Sequence, residues 1–274
     1  MPLADPALQH RSIAAAVLNA LDTQGAITPF TKRSHGLTLD EAYCVPPLVR
    51  TALVTRGETI VGRKIGFTNR GIWAQYGVYA PIWGYITDKT ASDLAATPAL
   101  PVSRFAQPRI EPEIMFHLAR APSPGMDEAA LLDCIAWLAA GYEIVQSIFP
   151  DWQFAAPDTV AANGLHGALL IGERHDVASR KADWLRELPS FQAALACNGK
   201  TVDQGGGASV LEGPLSTLTY LMALLSKDPH NPPLAAGEII STGTLTKAMP
   251  VAAGETWTTT FTGIPLDPVT VAFT

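Results

Sequence analysis

The sequence predicts an α+β fold, with a helical N-terminal region at residues 1–57 and a strand-rich body at 58–274 that forms a single functional domain. Three observations carry this. Ile13, Ala16, Val17, Ala20 and Leu21 recur at three-four spacing, the mark of a helix with one apolar face. Between Arg109 and Ala119 apolar and polar residues alternate, which is strand periodicity. Asn198-Gly199 separates two short strand-like runs, a strong signal for a two-residue hairpin.

The first helix is predicted from Pro6 to Thr23, with Gly25 as its stop. A second spans Thr38 to Arg56, where Thr38 and Glu41 form a capping-box pattern. Pro46 and Pro47 must break or kink it. After Gly57 strands take over: Glu58–Gly66, a short helix at Trp73–Tyr79, then Trp83–Thr87. Leu100–Pro108 reads as loop and Arg109–Ala119 as strand. Asp127–Gly141 is predicted as a helix with Leu131, Leu132, Ile135, Leu138 and Ala139 on its stripe, followed by a strand opening at Glu143. Leu165–Gly172, the hairpin, Glu238–Thr242, Thr256–Thr262 and Val269–Phe273 complete the strands, and Pro214–Ser226 is a late helix.

Composition narrows the function classes. Residues are 47% hydrophobic and only 16% charged, enough to bury a large core and little enough polar material to suggest a homo-oligomer. The net charge of -6 and the lack of any Lys/Arg run argue against nucleic acid. Met1 to Gln9 lacks a basic apolar leader, and no stretch approaches ~18 uninterrupted apolar residues, so neither a signal peptide nor a membrane span is expected. Cys44, Cys134 and Cys197 fit reduced thiols in the cytoplasm. The histidines at 10, 35, 117, 175 and 230 have no zinc spacing. Gly205-Gly206-Gly207 lacks the P-loop lysine, and no G-x-S-x-G elbow is present.

Glu111 and Glu113 stand at i and i+2 of the alternating strand, so both carboxylates leave one face roughly 7 Å apart. Two ordinary surface glutamates would read the same way. A hard divalent cation is the alternative that relieves their repulsion. Glu143 heads an apolar run, where a buried acid needs a partner or else lies at the surface. Lys64 ends the first strand of the body. It is either a surface lysine or, beside a cation, a proton carrier with a lowered pKa.

These residues lie in stretches that together resemble the 2-oxopent-4-enoate hydratase and 4-oxalocrotonate decarboxylase group of the fumarylacetoacetate hydrolase superfamily. The stretches are Lys64-Ile65-Gly66-Phe67-Thr68, Tyr76-Gly77-Val78 through Pro81 and Gly84, Arg109-Ile110-Glu111-Pro112-Glu113-Ile114 and Glu143-Ile144-Val145 with Ser147. They continue with Asp151-Trp152, Asp158-Thr159-Val160-Ala161, Gly213-Pro214-Leu215 and Ile240-Ser241-Thr242-Gly243-Thr244, ending at Pro250-Val251 and Gly254-Glu255. The resemblance implies a mixed β-sheet roll and an oligomer, and it admits a hydratase–decarboxylase complex. It implies Mg²⁺ or Mn²⁺ on Glu111, Glu113 and Glu143, with catalytic Lys64 alongside. It places Asp158 and Thr244 near the substrate, a small 2-oxo acid or its 2-hydroxy-dienoate enol.

Three departures stand out. Ile82 occupies a position where the hydratases carry aspartate, which resembles the decarboxylase branch. Gln146-Ser147-Ile148-Phe149 lacks the flanking acid and arginine of relatives. His166 replaces a small polar residue and is a candidate acid/base group or a buried hydrogen-bonded histidine. An acylpyruvate C–C hydrolase and a catalytically silent keto-acid-binding subunit are the rival readings.

Overall fold

Helices come first, and strands take over after Gly57. The computed structural model describes residues 6–274, apart from the side chains of Ile72, Gln75 and Tyr76. Met1–Asp5 of the leader reading, and the Tyr76 side chain within the resembling motif, lie outside the described residues. Helix α1 (Pro6–Thr23) buries Ile13, Ala14, Val17, Leu18 and Ala20. Helix α2 (Leu39–Ala42) carries the predicted capping box between Thr38 and Glu41. The prolines do break the helix: α3 (Pro46–Thr55) starts on them, where no backbone donor is needed.

The body follows as β1 (Ile60–Gly66), α4 (Trp73–Tyr76), β2 (Ile82–Thr87), β3 (Ala91–Asp93), β4 (Ala99–Leu100), β5 (Arg109–Leu118), α5 (Glu128–Leu132) and β6 (Ile135–Val145). Then come α6 (Ala156–Ala161), β7 (His166–Asp176), α7 (Lys181–Glu187), β8 (Gln192–Cys197), β9 (Lys200–Gly206) and α8 (Pro214–Leu225). The last strands are β10 (Ile239–Thr244), β11 (Met249–Pro250), β12 (Thr256–Thr262) and β13 (Val269–Phe273). An eight-stranded mixed sheet runs β2-β1-β10-β5-β6-β7-β3, with β11 also on β5. A five-stranded sheet runs β4-β13-β12-β8-β9. Residues of both sheets, among them Ile114, Tyr142, Leu170, Leu195, Trp257 and Val271, share one core. This is the mixed roll that the resemblance implied.

The helix expected over Asp127–Gly141 is wrong beyond Leu132. Residues 135–145 form a strand paired on both sides, with β5 and β7. A strand buried on both faces shows no polar alternation, so its apolar run reads like a buried helix. Close pairing also accounts for Gly141, where an added Cβ would lie 2.1 Å from the Leu170 carbonyl oxygen. Glu143 therefore does not open a strand. It lies near the far end of a long one. The segment Gly207–Leu225 is long and apolar enough to pass a membrane-span test, yet 61% of it is buried in the fold. Its helix, α8, has 12 residues, about 18 Å of rise, short of the ~30 Å hydrocarbon layer.

The N-terminal helices sit on the body through a second apolar cluster. Val17, Leu18, Phe30 and Val49 meet Ile82, Ile148, Phe149, Val160 and Leu165 there. Ile148, within one of the stretches that depart from the resembling pattern, is thus part of this packing.

Candidate active site

Sheet register gathers the acids. Glu111 on β5 lies directly opposite Glu143 on β6, and Glu113 is one pleat further along, opposite Gly141 and Thr244. Ile110, Ile114, Tyr142 and Ile144 point the other way, into the core. The three carboxylates therefore share a face, with an oxygen of each within 4.8 Å of the others. Like charges directly opposed across two strands repel. Glu113 and Glu143 are fully buried and Glu111 half-buried, so water relieves little of this.

The surrounding bonds hold these acids in place. The Glu113 Oε2 accepts from the Ser241 hydroxyl and, at 2.9 Å, from the Gly243 N–H. Gly243 has φ +98, and a Cβ there would strike Thr68 Oγ1 at 2.0 Å, so only glycine delivers that N–H. Glu113 Oε1 is buried without any hydrogen-bond partner. An orphaned carboxylate oxygen facing two other carboxylates is the donor set a hard divalent cation requires. The residues present fit such an ion.

Lys64 reaches the cluster from β1. Its Nζ is 3.0 Å from Glu143 Oε2 and donates to the Gly164 carbonyl at 2.9 Å. Burial alone would pull its pKa down, but Glu143, Glu111 and Glu113 outweigh burial and hold it above the usual lysine value. That is the balance when three carboxylates alone face one ammonium; the lowered value expected from the sequence belongs to a lysine beside a bound cation. Burial pushes the Glu111 carboxyl up to about 7, against the pull of Lys64 and with Glu143 adding to the rise. Burial, then Glu143 and Glu111, holds Glu113 well above its ordinary range. Glu143 would rise by burial too, but Lys64 and His166 keep it low.

A carboxyl raised in the fold binds its proton more tightly there than in the unfolded chain. Its stability is present below the unfolded value of 4.5 and is lost as pH rises toward about 7. Glu143 works in the opposite sense, but only below 4.5. The metal-free protein should therefore melt at lower temperature as pH climbs across that window. Stabilisation by Mg²⁺ should grow over the same range, as the ion displaces those protons. Thermal melts with and without Mg²⁺ from pH 4.5 to 8 check this; a Mg²⁺ shift independent of pH would contradict it.

Glu111 and Lys64 line a cavity of about 110 Å³, with Glu113 and Glu143 buried beside Glu111. Ile82, Val145, Phe154 and Leu165 give it apolar walls, and Thr68, Asn69, Arg109 and Thr244 add polar groups. Thr244, as expected, lines it, with its hydroxyl donating to the Thr246 carbonyl. Strain collects around it: Phe67, Trp152, Asn163 and Leu165 have φ of 54°, 58°, 53° and 64°. The Asn163 side chain clasps both backbone groups of Tyr85, which fixes the turn that presents the Gly164 carbonyl to Lys64.

Two expected site residues are placed elsewhere. Asp158 does not line the cavity. Its oxygens accept from the Thr31 N–H and hydroxyl and from the Ala155 N–H, so it ties the N-terminal region to α6. Replacing it with Ala is expected to cost roughly 2–4 kcal/mol of stability through buried donors left unmet. Chemical denaturation measures the loss, and a raised KM without lost stability would return Asp158 to the substrate. His166 also lies off the cavity. Its Nδ1 is 2.8 Å from Glu143 Oε1 and its Nε2 is 2.9 Å from Thr90 Oγ1, on the side facing α1 and α3. It touches Glu143 rather than substrate. Sequence reasoning gave no role to Ser241, the Gly243 N–H, the Gly164 carbonyl or Arg109. A serine and a glycine buried in the Ile240–Thr244 strand were the available signal.

Known proteins agree with this geometry. The chain is 30% identical over 238 residues to a 2-hydroxyhexa-2,4-dienoate hydratase from Comamonas testosteroni, covering 86% of this chain and 87% of that protein. It is 30% identical over 230 residues to a 4-oxalocrotonate decarboxylase from Pseudomonas sp. strain CF600, covering 83% of each. The structure of 4-oxalocrotonate decarboxylase from Pseudomonas putida G7, complexed with magnesium and adipate, superposes with a TM-score of 0.87 at 28% identity and covers 97% of both chains. Residues 83–270 match the fumarylacetoacetate (FAA) hydrolase C-terminal family. That match spans well over half of this chain, and the chain belongs to the fumarylacetoacetate hydrolase C-terminal family.

Proposed function

We propose that the protein is a lyase of the hydratase/decarboxylase type that uses Mg²⁺ or Mn²⁺ and acts on a small 2-oxo acid or its 2-hydroxy-dienoate enol. One observation carries this reading: three carboxylates have oxygens within 4.8 Å of one another, one oxygen is unpartnered, and Glu111 of the three lines a small cavity together with Lys64. Glu111, Glu113 and Glu143 would hold the cation. When bound, a divalent ion acts as a Lewis acid on the carboxylate and 2-oxo oxygens of the acid and stabilises the charge that develops there.

The protein's own groups supply the remainder. Lys64 lines the cavity with its Nζ 3.0 Å from Glu143 Oε2, so it is placed to give a proton to a substrate carbon. The Gly164 carbonyl fixes the direction of its Nζ. A cavity of about 110 Å³ suits a small substrate. Ile82, buried on the cavity wall, favours decarboxylation over hydration, because no side chain there orients a water. In that reaction the bond to the departing carboxylate breaks. Its electron pair moves along the conjugated chain toward the 2-oxo oxygen, CO₂ leaves, and Lys64 protonates the carbon left behind. C–C hydrolysis of an acylpyruvate would need a base on a water. His166, the candidate, is engaged with Glu143 and Thr90 instead.

His166 acts here by positioning Glu143. Replacing it with Gln should weaken Mg²⁺ binding about 10–100-fold, the usual effect of losing a hydrogen bond to a metal ligand. Titration calorimetry reads it, and unchanged affinity would remove this role. Reduced cysteines, none of them paired among the described residues, support a cytoplasmic setting. The low charged fraction of 16% supports a homo-oligomer. The function is tested by offering 2-hydroxypenta-2,4-dienoate, 2-hydroxymuconate and an acylpyruvate in parallel with Mg²⁺. CO₂ release supports decarboxylation, loss of diene absorbance without CO₂ supports hydration, and acid release supports hydrolysis. No turnover of any of the three would overturn the lyase reading.

A further inference from the structure

A second cavity, of about 270 Å³, lies where α1 and α3 meet β2 and the start of β7. It shares no lining residue with the front cavity that Lys64 and Glu111 line. Its walls are of two kinds. Leu18 and Leu21 of α1 and Val49 and Leu53 of α3 form an apolar side, at the three-four spacing of one helix face. Thr87, Gln146, Asn163 and His166 form a polar, buried side. Arg56, Lys89 and Arg104 add three cations against the two acids Asp22 and Glu58. Most of this charge is committed. Arg56 pairs with Asp22 at 2.9 Å, Lys89 pairs with Asp88 at 3.3 Å, and Glu58 accepts from the Thr87 hydroxyl at 2.6 Å. Arg104 has an aromatic neighbour instead, with its guanidinium carbon 5.6 Å from the centre of the Phe105 ring. Gly167 lets that loop close in, since a Cβ there would lie 3.1 Å from the ring and 2.7 Å from the Ile144 carbonyl oxygen. The spare charge is thus a guanidinium, whose planar fork suits a carboxylate.

The polar side of this cavity is also the rear of the candidate active site. His166 meets Thr90 through Nε2 at 2.9 Å, while its Nδ1 holds Glu143 at 2.8 Å. Asn163 clasps Tyr85, and the next residue offers its carbonyl to Lys64. One cavity therefore touches the residue behind a candidate metal ligand and the residue behind the lysine. We propose that this rear cavity is an effector site for a small organic carboxylate, with its charged end on Arg104 and an apolar tail against Leu18, Leu21, Val49 and Leu53. Inorganic phosphate would leave the apolar side wet, and a neutral apolar molecule would leave Arg104 unmet. The occupant takes up the room in which His166 and Asn163 could shift. It favours the arrangement that holds Glu143 and Lys64 in place, so it tightens Mg²⁺ binding. The coupling rests on the metal site proposed above, whereas the binding does not.

Titration calorimetry of the metal-free protein with hexanoate, acetate and hexanol tests the binding. Without metal the front cavity lacks the cation that would draw a carboxylate. Hexanoate is expected to bind at one site, at least about 10-fold more tightly than acetate, which lacks the tail, or hexanol, which lacks the charge. Arg104→Gln, at an exposed position, should weaken hexanoate about 10-fold. Leu53→Trp, which fills the apolar side, should abolish its binding. Saturating hexanoate should tighten Mg²⁺ binding about 5-fold or more in the wild type. It should change nothing in the two variants, whose Mg²⁺ affinity without hexanoate stays that of the wild type. No binding in the wild type, or unweakened binding in both variants, overturns the proposal. So does a hexanoate effect on Mg²⁺ that survives both substitutions, because hexanoate in the front cavity would produce it. Binding without any change in Mg²⁺ affinity removes the effector role and overturns it as well. A protein that binds no Mg²⁺ at all defeats the metal reading, and the effector role falls with it, while the metal-free titrations still decide whether the rear cavity takes a carboxylate.

Discussion

Replacing Glu113 with Gln is expected to abolish measurable Mg²⁺ binding and to lower kcat/KM on the order of 10³-fold or more, the several kcal/mol that a Lewis acid contributes to the barrier. The substitution keeps the shape of the side chain. Gln can still accept from Ser241 and the Gly243 N–H, so the local backbone should hold. It removes the ionisable carboxyl whose proton a divalent ion would displace, and with it the negative charge that ion needs. The metal-free variant should therefore melt no lower than the wild type at pH 7, and higher if repulsion dominates, while the Mg²⁺-induced shift disappears. Turnover retained without metal binding would sink the mechanism. Lost stability without a change in Mg²⁺ affinity would show Glu113 to be a structural acid only.

Lys64→Met separates the two cations. Proton transfer from a positioned side chain contributes typically 10²–10⁴-fold, and turnover should fall within that range. Mg²⁺ affinity should move the other way. Lys64 Nζ sits 3.0 Å from Glu143 Oε2, so a bound ion competes with it for the same oxygen, and the variant should bind Mg²⁺ more tightly. Without metal it should be the less stable protein. A buried carboxylate that has lost its ammonium partner costs roughly 3–5 kcal/mol. Calorimetry, denaturation with and without Mg²⁺, and single-turnover kinetics read these three effects. Weaker Mg²⁺ binding in Lys64→Met would show that Lys64 organises Glu143 for the ion instead of competing with it.

Part of this site was legible in the sequence. The i, i+2 spacing of Glu111 and Glu113 put both acids on one face, because strand geometry leaves no other choice. The capping box at Thr38 and Glu41, the Asn198-Gly199 hairpin and the helix at Pro6–Thr23 were equally local and appear as read. Reading failed where an element is defined by neighbours. The 135–145 segment has an apolar pattern that suits a helix, and only pairing with β5 and β7 makes it a strand. Of the two readings of His166, acid/base group or buried hydrogen-bonded histidine, its contacts with Glu143 and Thr90 fit the second, which only the tertiary position could decide. Asp158 resembles a pocket residue by motif, yet contacts 127 residues away in sequence claim both its oxygens.

By itself the sequence determined the α+β class, through periodicity, and the family, through colinear short runs of chain, and it pointed to four candidate residues for the proposed chemistry. The tertiary structure decided what faces what. It set Glu111 directly against Glu143, drew Lys64 onto Glu143, left Glu113 Oε1 without a partner, and laid Arg109 on Trp152. Register, burial and charge balance depend on contacts between residues far apart in the chain, and no local pattern records them.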